Sequence, residues 1–159
     1  DITLPWLAKH VDVFYIGGTK VGAMFGEAVV FTNTKAPRAF FTTIKRHGAL
    51  LAKGRMLGLQ FNCLFTDNLY FRVARHANEM AMRLRNIFLA HGKQMGVDSP
   101  TNQQFVILSP SEKEQLMQTI AFEVWSPMAD GNILCRFVTS WATTDEDMET
   151  LDKALSALS

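Results

Sequence analysis

Hydrophobic and polar positions change period several times along this chain, and the changes divide it into elements. Val11–Ile16 is an apolar, β-prone run that breaks at Gly17-Gly18, and Glu27–Thr32 is a second such run. The first is apolar on both faces, which suits a strand in a sheet covered on both sides. Before it, Ile2–His10 predicts a short turn of helix entered through Pro5, with Trp6 and Leu7 as packing side chains. After it, Thr32-Asn33-Thr34 predicts a loop, and Pro37 suits the first turn of a helix carrying Phe40, Phe41 and Ile44 up to Gly48. Residues Ala49–Phe65 predict a further helix with more than one apolar face, buried or at a subunit interface. Asp67-Asn68 offers a cap for the longest periodic segment, Leu69–His91. There Leu69, Val73, Ala77, Met80, Leu84 and Ile87 share a stripe, and Gly92 can close the helix.

Polar residues 93–101 predict a linker, followed by a smaller α/β unit. Phe105–Leu108 is its first strand. Ser109-Pro110-Ser111-Glu112 opens a helix over Pro110–Ile120, with a cap, a proline in the first turn and an acid three residues after the cap. Phe122–Trp125 and Ile133–Ser140 are strands joined by a turn with the Asp130-Gly131 signal. Thr143-Thr144-Asp145-Glu146 predicts a capping box for a last helix with Met148, Leu151, Leu155 and Leu158 on one stripe. Two parts follow: 1–92 ending in the long helix, and 93–159 as the small α/β unit.

Composition adds limits. With 159 residues, 48% of them hydrophobic, the chain can bury a sizeable core. A net charge of +1 with no basic stripe argues against a nucleic-acid or membrane surface. No apolar run approaches the length needed to span a bilayer. Cys63 and Cys135 sit in apolar contexts without metal-ligand spacing, and the expectation is two buried free thiols in a reducing, cytoplasmic setting. His10, His47, His76 and His91 show no metal spacing either.

Two side chains stand out. Lys20 follows Gly17-Gly18-Thr19 between the two β-prone runs. It is either a surface lysine in a hairpin loop, or an amine held at the end of a sheet. In the second case loss of water favours the neutral form that attacks a carbonyl. Glycines beside it permit close approach of a planar ligand. Arg136 lies within the apolar strand Ile133-Leu134-Cys135-Arg136-Phe137-Val138, where a charge needs a partner. It either points to water or pairs with an acid such as Glu123 on the neighbouring strand, or it offers its planar fork to a ligand carboxylate.

The runs Gly17-Gly18-Thr19-Lys20, Phe25-Gly26-Glu27-Ala28 and Arg136-Phe137-Val138-Thr139-Ser140-Trp141 resemble the L-threonine aldolase / β-eliminating lyase family. Lys45-Arg46-His47-Gly48, Lys53-Gly54-Arg55 and Ala74-Arg75-His76-Ala77-Asn78 are similar to it as well. The resemblance runs almost end to end but covers only the C-terminal half of such an enzyme. It implies an α/β fold of the aspartate-aminotransferase type: the end of the large domain plus the small domain. It implies pyridoxal 5'-phosphate as cofactor, bound as an imine to Lys20, and Arg136 as the group that binds the substrate α-carboxylate. Lys45 and Arg55 would approach the cofactor or its phosphate, with Lys53 a rival for either role. Thr19 would hydrogen-bond near the cofactor or simply cap the turn.

The implied reaction is cleavage of L-threonine or a related β-hydroxy amino acid to glycine and an aldehyde. Elimination of a β-substituent on the same fold is the alternative, and a non-catalytic dimerising remnant is the third reading. Val21, where many members have asparagine, leaves the subfamily open. Implied partners are an amino acid substrate, a second copy or a tetramer of copies, and the missing N-terminal half. The ring-stacking residue, the acid at the ring nitrogen and the base at the β-oxygen would lie in that half. The chain alone is therefore expected not to be a competent enzyme.

Overall fold

The computed structural model describes residues 2–33 and 36–158. Thr34 of the expected loop lies outside them, as do Asp1, Lys35 and Ser159. The chain forms two compact units, one ending at Tyr70 and the other beginning at Phe71.

In the first unit, helix α1 (Leu4–Ala8) is started by Thr3, whose side chain accepts the Trp6 amide, with Pro5 in the first turn. Strands β1 (Val13–Gly17) and β2 (Glu27–Phe31) pair antiparallel, with Tyr15 opposite Val29. Period-two alternation turns Phe14, Ile16, Ala28 and Val30 to one side. There Ile16 is buried in the same unit as Val21, Ala23, Phe61 and Leu64. The other side exposes Val13, Tyr15 and Val29, so the expected two-sided cover is present on one face only.

Helix α2 (Phe40–Arg46) begins where Phe40 meets Phe31 edge-on at 5.2 Å between ring centroids. Helix α3 (Arg55–Phe65) starts six residues later than expected. Gly48 adopts a left-handed φ of 66°, residues 49–51 are irregular and 52–54 form a turn, leaving Leu50 and Leu51 exposed. Helix α3 buries Phe61 and Leu64, while Cys63 is exposed; only Cys135 meets the expectation of a buried thiol. Asp67 and Asn68 do not form a simple cap. Both adopt left-handed angles inside a short 3-10 turn, which these residue types tolerate.

Helix α4 (Leu69–Ala90) carries the chain into the second unit. It buries Ala77, Met80, Ala81, Leu84 and Phe88 and closes at Gly92, where the Lys93 amide donates to Phe88 O at 2.9 Å. The expected linker contains a short strand, β3 (Gln94–Met95), because its amide groups pair with β4 (Gln103–Leu108). With β5 (Glu123–Pro127) and β6 (Ile133–Val138) the sheet is antiparallel in the order β3-β4-β6-β5. Gln104, Val106 and Leu108 alternate with Cys135 and Phe137 on the covered face. Phe137 contacts Phe88 and Phe122 at 4.7 and 4.5 Å, so the long helix, assigned from sequence to the part before residue 93, packs on this sheet.

Helix α5 (Pro110–Leu116) has the expected capping box of Ser109 and Glu112, and ends four residues early. Helix α6 (Asp145–Ser156) is boxed by Thr144 and Asp147, one residue beyond the expected set. Met148, Leu151 and Leu155 complete the core. Burial works to raise the Glu112 carboxyl, but hydrogen bonds from Lys93 and from the Ser109 amide and hydroxyl outweigh it and hold the carboxyl below its ordinary range.

Leu151 is 2% exposed, so Leu151→Ala is expected to destabilise the second unit by about 2–5 kcal/mol, read as a lowered urea midpoint. A carboxyl depressed by folding contributes stability above its unfolded pKa, and that contribution is lost as pH falls through the folded value. Urea midpoints measured from pH 7 down to pH ~3 should therefore fall less steeply in Glu112→Gln than in the parent chain; equal slopes would remove Glu112 from the account.

Candidate active site

Between β1 and β2 the chain makes a compact turn. Thr19–Val21 is a single 3-10 turn, and Gly22 leaves it with a left-handed φ of 95°. The Val21 and Ala23 amides both donate to Gly18 O, at 3.1 and 2.9 Å. Gly18 is buried, and a Cβ there would lie 2.5 Å from Ala23 Cβ and 3.1 Å from Phe61 Cζ. Only glycine fits that contact.

Two residues that sequence reasoning passed over hold the turn. Gln60 on α3 accepts the Met24 amide at 2.7 Å and donates to Phe25 O at 3.3 Å. The Tyr70 hydroxyl donates to Gly17 O at 2.9 Å. Both act across more than 30 residues of sequence, so no local pattern could have announced them.

Lys20 projects from this turn and is exposed; among the described residues its ammonium has no hydrogen bond or ion pair. The expected desolvation is thus not supplied by the described residues of this chain. Thr19 is exposed beside it. Arg55 opens α3 two residues before Leu57, whose Cδ2 lies where a Cβ on Gly26 would come within 2.3 Å. Helix α3 therefore ties Arg55 to the glycine-rich turn. Lys45 lies in the last turn of α2, and both basic groups are exposed.

In the second unit Arg136 sits on β6 with Phe105 of β4 and Glu123 of β5 as its direct cross-strand neighbours. The alternation that sends Cys135 and Phe137 to the core sends Arg136 to the opposite face of the sheet. Its Nη1 donates to Gln103 Oε1 at 3.0 Å, and its Nη2 pairs with Glu123 Oε2. A bulge between Val124 and Ser126 brings the Trp125 ring to 4.8 Å from the guanidinium carbon. Arg136 Nε is buried and has no hydrogen-bond partner among the described residues. The pairing with Glu123 is the one read from sequence as the structural option. Gln103 and Trp125 gave no signal, because only strand register and a bulge bring them to Arg136.

Among the described residues no helix is long and apolar enough to cross a membrane, and no group of three His, Cys, Asp or Glu side chains could hold a metal. No family model matches the chain. A low specificity L-threonine aldolase of a Pseudomonas species is 30% identical over 156 residues, which is 98% of this chain and 44% of that protein. A solved structure of Leishmania major threonine aldolase superposes with a TM-score of 0.93 and 38% identity, over 99% of this chain and 46% of the other. The chain thus spans less than half the length of these relatives. Sphingomonas wittichii serine palmitoyltransferase, at 16% identity and a TM-score of 0.61, shares the fold over 92% of this chain and 40% of its own.

The turn makes a sharp contrast testable. Gly18→Ala forces Ala23 or Phe61 to move and is expected to cost about 1–3 kcal/mol, seen as faster amide exchange across β1 and β2. Gly58→Ala, in helix α3 with open space at its Cβ, is expected to stabilise by about 0.5–1 kcal/mol. Equal effects at the two sites would show that the turn is not closely packed.

Proposed function

We propose that this chain, homologous along its whole length to part of the L-threonine aldolases, is the C-terminal portion of a pyridoxal-phosphate-dependent lyase acting on β-hydroxy amino acids. The observation that carries the reading is the end-to-end match at 38% identity and a TM-score of 0.93, with a lysine at the glycine-packed turn that has no partner among the described residues. The donor set suits the cofactor. A primary amine with no competing ion pair among the described residues stands on a closely packed turn, and further cations lie on the helices of the same unit.

Lys20 would hold the cofactor through its amine, which would condense with the cofactor's aldehyde as the aldehyde oxygen leaves as water. Thr19, Lys45 and Arg55 would supply hydroxyl and cationic contacts to the ring or the phosphate. Bound there, the cofactor supplies an electron sink for the bond broken at the amino acid Cα. Arg136 would hold the substrate carboxylate through charge-assisted hydrogen bonds and so fix which Cα bond faces the ring. The products would be glycine and an aldehyde.

The complete protein is a homo-oligomer in this reading. The exposed Tyr15, Val29, Leu50, Leu51, Met56 and Leu59 support cover by the segment that this chain does not span or by a second copy. Two free cysteines accord with a cytoplasmic setting.

Borohydride reduction of the cofactor-loaded complete protein, followed by digestion and peptide mapping, is expected to place the label on Lys20; a label on another lysine overturns the assignment. Threonine cleavage by the 159-residue chain alone is expected to be undetectable. Turnover comparable to that of full-length relatives would overturn the need for the missing segment.

A further inference from the structure

Arg136 offers its strongest recognition edge half-filled. In a guanidinium, Nε–H and the Nη2–H on the same side form a parallel fork that matches the two oxygens of one carboxylate. Here Nη2 is taken by Glu123 Oε2, while Nε is buried without a partner among the described residues. The remaining contacts fix the group from other sides: Gln103 Oε1 holds Nη1, and the Trp125 ring lies 4.8 Å from the guanidinium carbon.

The partners differ in how firmly they are held. Gln103 is half-buried on β4, an interior strand of the sheet. Glu123 is on the edge strand β5 with its side chain 62% exposed, against 23% for Arg136. An exposed edge carboxylate gives up a contact at little cost, since it regains water. A buried Nε–H does not regain anything until an acceptor reaches it.

From this geometry we infer that Glu123 is an internal counter-carboxylate that keeps the Arg136 fork closed and is displaced by the ligand carboxylate, while Gln103 is the positioning residue that stays. The inference rests on reading Arg136 as the carboxylate-binding group. A ligand carboxylate entering where the Glu123 carboxylate now lies spans Nη2 and Nε together. It makes two bonds in place of one and satisfies the orphaned donor. Glu123 thereby sets the threshold for carboxylate binding, and a second negative charge on the ligand is disfavoured while Glu123 remains nearby.

The test uses the whole 159-residue chain, acetate as probe, constant ionic strength with chloride as the balancing anion, and two readouts: the Arg136 side-chain nitrogen resonances, and the indole resonance of the adjacent Trp125, which also reports on the variant that lacks Arg136. Glu123→Gln keeps the size and a hydrogen-bond acceptor but removes the charge. It is expected to lower the apparent acetate Kd by about two- to fivefold, the span of an exposed ion pair, and to shift the free-state Nε and Nη resonances. Glu123→Asp, which keeps the charge, is expected to stay closer to the parent, and Gln103→Leu to weaken binding. An unchanged or raised Kd in Glu123→Gln, with binding abolished in Arg136→Ala, overturns the displaced counter-ion while leaving Arg136 as the carboxylate site. Acetate binding that survives in Arg136→Ala, or no binding in either the parent or Glu123→Gln, overturns both.

Discussion

The second unit depends on the two faces of one strand. Along Ile133–Val138, Cys135 and Phe137 point into the core while Leu134 and Arg136 point away from it. Phe137 meets both Phe88 of the long helix and Phe122. Burying that face fixes the register, because a slip of one residue would put Arg136 into the apolar core. The same packing that stabilises the unit therefore aims the guanidinium. Register then sets its neighbours, with Glu123 and Phe105 directly opposite. The core thiol of Cys135 belongs to this packing, and burial pushes its pKa up, away from reactivity.

In the first unit the governing constraint is steric. Gly18 brings backbone against Ala23 and Phe61 at a distance that no side chain allows, and Gln60 pins the far end of the same loop. A turn held from both ends gives Lys20 a fixed origin even though its amine is exposed. Such a fixed origin is what covalent chemistry at a lysine requires, since most of the advantage lies in placing the amine before reaction. The unit also leaves Val13, Tyr15 and Val29 uncovered on one face of its hairpin. A strand pair with two apolar faces is stable in a longer protein, and these relatives are more than twice the length of this chain.

The two candidate site groups differ in state. Lys20 lacks any partner among the described residues, whereas Arg136 is already engaged by Gln103, Glu123 and Trp125. An arginine in an apolar strand must be engaged in the absence of ligand, or its desolvation goes uncompensated. The structural reading of Arg136 and the proposed ligand-binding one are therefore compatible: the internal acid neutralises the charge in the absence of ligand.

The sequence by itself determined the elements whose signals are local. Capping residues and Pro5 and Pro110 marked helix starts; apolar, β-prone runs marked β1, β2, β4 and β6; the Asp130-Gly131 turn marked the last hairpin; glycines singled out the Lys20 turn. An arginine in an apolar strand was legible as an anomaly, and Glu123 as one answer to it. Tertiary structure decided everything that depends on distant contacts. The segment after Gly92 holds a strand because β4 offers its amides and carbonyls. Residues 49–54 are not helical despite their apolar content, since Gly48 turns left-handed and nothing in this unit buries Leu50 or Leu51. Gln60, Tyr70, Gln103 and Trp125 serve the site only through packing, register and a bulge. Local propensity acts within a few residues of the chain, whereas a hydrogen bond across 36 residues exists only once the core has closed.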